Sequence, residues 1–153
     1  MKKLMIVGLL ILIGGCAKDD SYDVSGLLRK LKDPDADKRY SAVKHLGGYG
    51  AKAKEAVPAL IEASHDENKD VRLGAIAALG RIGPAAREAI PALKECLKEK
   101  SRSIRCTAAS SLVHIDPSNK EAIPVLKATL TDRSEDLRNQ AADALKFVQT
   151  RRR

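Results

Sequence analysis

Apolar residues return along this chain at two intervals at once. Locally they lie three or four apart: Val57, Leu60 and Ile61; Ile90, Leu93 and Leu97; Ile123, Leu126 and Leu130; and, in a longer run, Val71, Ala75, Ala78, Leu79 and Ile82. That spacing predicts helices, each with one apolar stripe. At longer range the pattern recurs every 33 residues. Arg39, Arg72, Arg105 and Arg138 share one column, Ala42, Ala75, Ala108 and Ala141 another, and Leu46, Leu79, Leu112 and Leu145 a third. Leu27, Leu60, Leu93 and Leu126 keep the same step, as do Pro58, Pro91 and Pro124, with Ser25 in their place in the first unit. No insertion is needed to keep the columns aligned. Self-similarity at a fixed period of this size marks a repeat array.

Each unit predicts two helices of about three turns. The first opens at the proline, whose locked φ suits a first helical turn and whose missing N–H had no partner there. The second opens at a capping column, Asp35, Asn68, Ser101 and Ser134, whose side chains can accept from first-turn N–H groups. Acids follow in Asp37, Asp70 and Asp136, where the helix dipole favours them. Gly47 and Gly50, then Gly80 and Gly83, read as helix stops; in the third unit Asp116-Pro117 ends the helix instead. One such pair cannot bury its stripe alone, but stacked pairs bury a continuous core. The alanine columns allow close approach, and an aromatic content of 3% suits thin layers.

The stretch VPALIEASHDENKDVRLGAIAALGRIG resembles a HEAT repeat, of the short type first named from bilin lyases. The pattern shared is a P-A-L helix, an Asp-rich turn, V-R, small residues, A-L-G and I-G. Residues 57–89 match nearly throughout. The first unit has Lys38 at an apolar place, as an outward-facing cap would, and the third and fourth keep Arg105 and Arg138 but lose the glycines. The resemblance covers about residues 25–150. It implies an all-α fold, an α-solenoid of four 33-residue HEAT-like hairpins, with the second helices lining the inner face. It also implies a scaffolding or adaptor role, and carries no activity. The repeats fall at about 25–56, 57–89, 90–122 and 123–153.

Residues 1–15 stand apart. A basic start (Met1-Lys2-Lys3), an apolar run from Leu4 to Ile13 too short to span a bilayer, and Gly14-Gly15 before Cys16 make an export signal. IGGC resembles the lipobox of bacterial lipoproteins, which implies cleavage before Cys16 and lipidation of its thiol. Residues 16–24 then form the lipidated Cys and tether, and 25–153 the repeat domain. The expected location is the periplasmic or extracytoplasmic face of a bacterial membrane. Loss of Lys2 and Lys3 with the leader lowers the net charge from +8 to +6, mildly basic, with Arg151-Arg152-Arg153 the one marked cluster. Export and the scarcity of aromatics argue against bilin attachment.

Candidate chemistry is sparse. The arginine column (Arg39, Arg72, Arg105, Arg138) could read phosphate or carboxylate, or could bond turn acids of its own or the next repeat as a structural ladder. The ladder is favoured, since stacked neighbours need one residue in every repeat and a ligand seldom does. The face of the second helices turned from the core varies between repeats. Tyr40, Lys44, Leu73, Arg81, His114 and Phe147 are its candidate partner-binding residues, because aromatics and Arg dominate interface hot spots. Cys96 and Cys106 flank one turn and are a candidate disulfide in an oxidising compartment. His45, His65 and His114 occupy unrelated columns, and no metal spacing, catalytic triad or phosphate loop is visible. The expectation is a membrane-anchored, non-catalytic adaptor of the bacterial cell envelope. It would bind an unidentified envelope protein, with no cofactor, no nucleic acid and no small-molecule substrate. The alternatives are a nucleic-acid-binding solenoid or a lyase-type enzyme subunit.

Overall fold

The structure, a computed structural model, describes residues 23–151. The leader 1–15, Cys16, most of the tether, Arg152 and Arg153 lie outside the described residues. Eight α-helices follow in order: α1 (Val24–Lys30), α2 (Ala36–Tyr49), α3 (Val57–Ala63), α4 (Lys69–Ile82), α5 (Ile90–Cys96), α6 (Arg102–Ile115), α7 (Ala122–Thr129) and α8 (Glu135–Arg151). The described residues contain no strand. The long helices begin at residues 36, 69, 102 and 135, in step with the 33-residue period. They pack side by side in the order α2, α4, α6, α8, and each is backed by its short partner. This is an α-solenoid of helical pairs.

The repeated columns build the core. Ala42, Ala75, Ala108 and Ala141 are fully buried, as are Leu27, Leu60, Leu93 and Leu126, and Leu46, Leu79 and Leu112. Leu145, in the last pair, is half-buried. The capping column works at all four long helices. Asp35 accepts from the Asp37 N–H, Asn68 from Asp70 and Val71, Ser101 from Ile104, and Ser134 from Leu137.

Two local expectations need correction. The helices are unequal rather than about three turns each. The short ones α3 and α5 have 7 residues, and the long ones α2, α4 and α6 have 14. The chain before α3 and α5 is a 3-10 segment, Gly50–Ala56 and Gly83–Ala89. Each segment is two short helical pieces that meet at a non-helical residue, Ala53 or Ala86, which is buried together with Ala56 or Ala89.

The second correction divides the glycines. Gly50 and Gly83 do stop helices, with φ of 53° and 71° that other residues rarely adopt. Gly47 and Gly80 lie inside α2 and α4 and instead let the next long helix approach. A Cβ on Gly47 would sit 3.1 Å from the Ala78 Cβ; one on Gly80 would sit 2.8 Å from the Ser111 Cα. In the third unit α6 ends at Ile115, and Asp116 before Pro117 is extended.

Candidate functional site

The arginine column lies at the turns between short and long helices. Each guanidinium bonds two backbone carbonyls of its own turn through Nη1. The acceptors are Asp33 and Pro34 for Arg39, Asp66 and Glu67 for Arg72, Glu99 and Lys100 for Arg105, and Asp132 and Arg133 for Arg138, all at 2.7–3.1 Å. These carbonyls lie in the turn, past the last residue of the short helix and ahead of the first residue of the long one.

A bond to an acid of the next repeat is seen at Arg39. Its Nε and Nη2 donate to the two carboxylate oxygens of Asp66 at 2.8 and 2.9 Å. Arg39 holds the Asp66 carboxyl below its usual range, burial working the other way. Asp132, which a ladder would pair with Arg105, accepts from Arg102 at 2.6 Å. The ladder of acids is therefore a ladder of turn carbonyls, with one acid rung at Arg39.

Cys96 and Cys106 are both buried free thiols, so the candidate disulfide is not formed. Cys106 faces the next repeat, with its Sγ donating to the Leu137 carbonyl at 3.8 Å. Burial raises both thiols above their usual range. Neither is poised as a nucleophile, because the reactive form is the thiolate.

The six candidate partner-binding residues come together across all four long helices. Tyr40, Lys44, Leu73 and Arg81 line a hollow of about 210 Å³ between α2 and α4. Arg81 also lines a second hollow of about 270 Å³, shared with Thr107, Ser110, His114 and Gln140. His114 stacks on Phe147 of α8 with ring centroids 4.5 Å apart. Its Nδ1 lies 2.7 Å from the Ser110 carbonyl, so that nitrogen carries the proton and donates. Lys44 sits 5.5 Å over the Tyr40 ring, and Arg151 sits 5.2 Å over the Phe147 ring.

Thr107 is among the residues that line the second hollow. It is buried and accepts from the Gln140 side chain at 3.2 Å, so it joins α6 to α8. Gln140, at a variable position of the last long helix, and Arg151 also belong to this surface. Arg151 had a signal, since it opens the terminal basic cluster.

Both hollows are open and smaller than the roughly 300–1,000 Å³ of ordinary small-molecule sites. They suit side chains presented by a larger partner. Among the described residues, no cluster of three or more His, Cys, Asp or Glu could hold a metal ion. No described helix is long and apolar enough to cross a membrane.

A layered stack of helix pairs, with a varied surface over an invariant core, defines the class: an α-helical repeat scaffold of the kind suited to protein binding. The HEAT-repeat family model matches residues 24–112 and 84–146, and the chain belongs to that family. Solved structures agree on the fold. An engineered protein matches at 24% identity with a TM-score of 0.63, covering 82% of this chain and 62% of that one. The complex of CpcE and CpcF of phycocyanin lyase from Nostoc sp. PCC7120 matches at 24% and 0.61, covering 84% and 65%. Computationally designed armadillo repeat proteins for modular peptide recognition match at 21% and 0.60, covering 81% and 63%. The chain thus spans less than two thirds of the length of these structures. A comparison with curated proteins finds no match.

Proposed function

We propose that this chain is a non-catalytic scaffold that holds a protein partner along the face of its long helices, tethered through Cys16 to the outer side of a bacterial membrane. The observation that carries the binding role is the continuity of the variable residues. Tyr40, Lys44, Leu73, Arg81, His114 and Phe147 come from four different helices and form one surface. Rigid packed helices present them, so little order has to be gained on binding. A likeness to repeat proteins designed for peptide recognition supports the same reading.

Membrane attachment rests on the basic start, the apolar run and the IGGC string ahead of residues 25–153. Two acyl chains at one cysteine would give stable anchoring.

The test is capture of a partner from envelope extract by the full chain. A reproducible partner, lost on combining Tyr40→Ala with Arg81→Ala, is the expected result. Binding that survives both changes places the site elsewhere. For the anchor, labelled palmitate should enter the wild-type chain and not Cys16→Ser. Equal labelling of the two would remove lipidation at Cys16.

A further inference from the structure

We propose that the occupant of the long-helix face is an extended, acidic peptide segment of the partner, its carboxylates seated against Lys44 and Arg81 and its path crossing α2, α4, α6 and α8. The proposal rests on the reading of the chain as a protein-binding scaffold and adds the chemistry of what is bound.

Three observations carry it. The first is spare charge. Lys38, Arg39, Lys94, Lys98 and Arg102 are held in ion pairs. Arg81 makes no ion pair or hydrogen bond among the described residues, although it borders both hollows. Lys44 likewise has an aromatic ring beneath it and no carboxylate. The hollow between Arg81 and His114 contains no acidic side chain, and that between Lys44 and Arg81 contains one, Asp70. A carboxylate brought to Arg81 would gain the fork of donors that now has no acceptor.

The second is shape. The hollows succeed one another across the helices, and Arg81 is common to both. Neighbouring helices pack about 8–10 Å apart, so four in a row span about 24–30 Å between outer axes, or about seven to nine residues of extended chain. A folded globular surface would meet such hollows at one or two points, whereas a single strand can follow them.

The third is the mixture of polar and aromatic groups. Ser110 and Gln140 offer hydrogen bonds in one hollow, and Leu73 offers apolar contact in the other. His114, which lines the hollow shared with Arg81, is stacked on Phe147. That mixture suits peptide backbone with alternating side chains. A nucleic-acid groove would carry a denser run of cations along a phosphate track.

Binding is measured by fluorescence anisotropy with the full chain. The probes are labelled nonapeptides in which Ala alternates with Glu, with Gln or with Lys, and a single-stranded DNA 20-mer. The Glu peptide should bind, and more weakly as salt is raised. The Gln and Lys peptides should bind at least tenfold more weakly. Arg81→Ala should lower affinity for the Glu peptide roughly tenfold, the loss expected of one charged hydrogen-bonded contact. Arg81 is exposed, so the variant keeps its fold, checked by its circular dichroism. Lys44→Glu combined with Arg81→Glu should transfer the preference to the Lys peptide.

Equal binding of the three peptides, no binding of the Glu peptide, tighter binding of the DNA, or indifference to Arg81→Ala would each overturn the proposal. The scaffold reading fails separately. A captured partner lost on Tyr40→Ala plus Arg81→Ala, yet not displaced by excess Glu peptide, would keep the scaffold and reject the acidic segment.

Discussion

Arg39 and Arg72 hold the same register and bond equivalent pairs of carbonyls, each in its own turn, yet their remaining donors differ. Arg39 grips Asp66, which also accepts the Asn68 N–H two residues on at 2.8 Å. Asp33 and Asp132 close the same local turn, onto the N–H groups of Asp35 and Ser134. In the third repeat this column holds Glu99, one methylene longer, and the Arg72 Nε is buried without a partner. Glu99→Asp should supply both bonds. A net gain of about 1 kcal/mol would raise the melting temperature by about 2–5 °C. An unchanged or lower melting point would show that Arg72 is satisfied some other way. At Arg39 the sign of the pH effect is fixed. The Asp66 carboxyl is depressed in the fold, mainly by its bond to Arg39, below the ordinary value of 3.8. Its stabilisation is therefore present above that value and lost as pH falls through the lowered one. Asp66→Asn should melt below wild type at neutral pH, and the gap should close in acid. A gap that persisted at low pH would assign the loss to packing.

Among whole elements, spacing between long helices is set by what two neighbours place between them. Gly80 faces Ser111, whose hydroxyl donates to the Ile76 carbonyl at 2.8 Å and whose Cα leaves no room for a Cβ. Gly48 lies in α2 with nothing within 4 Å of such a Cβ. The same substitution should therefore have opposite signs at the two sites. Gly80→Ala should destabilise by about 1–3 kcal/mol through overpacking. Gly48→Ala should stabilise by about 0.5–1 kcal/mol, because a helix interior favours Ala over Gly. Chemical denaturation of the two variants reads both. Loss of stability in Gly48→Ala would mean that α2 meets something on that side.

The whole molecule is a translation of one pair. If that is the energetic truth as well as the geometry, one period can be removed. Deleting residues 90–122 joins Ala89 to Ile123, recreating an E-A-I-P-V sequence, and sets α8 against α4. Gly80 would then face Ala144 where it now faces Ser111, a smaller neighbour on the same register. The shortened chain should keep its helical content per residue and unfold at lower temperature. Its denaturant m-value should fall by roughly a quarter, in proportion to the surface buried. Deleting 30 residues over the same span should break the columns and abolish cooperative unfolding. The two end pairs differ from the middle ones in a way that fits an array. Lys38 replaces the buried apolar residue seen at Val71 and Ile104, and Lys146 stands where Gly47, Gly80 and Val113 are buried; both lysines are exposed.

The 33-residue columns by themselves determined the all-α architecture, the capping residues and the leucine and alanine core, because helix period and repeat period are both one-dimensional. They also marked which positions vary, and hence the six residues of the candidate surface. What lies across the stack was decided only in three dimensions. Whether a glycine ends a helix or admits its neighbour depends on what the next repeat places opposite. Whether an arginine meets a carbonyl or an acid depends on the reach of a side chain 27 residues on. Cys96 and Cys106, close in sequence, are two free buried thiols, and Cys106 turns its sulfur to the following repeat. Lys44, Arg81 and His114 became one surface only when stacking set their helices side by side.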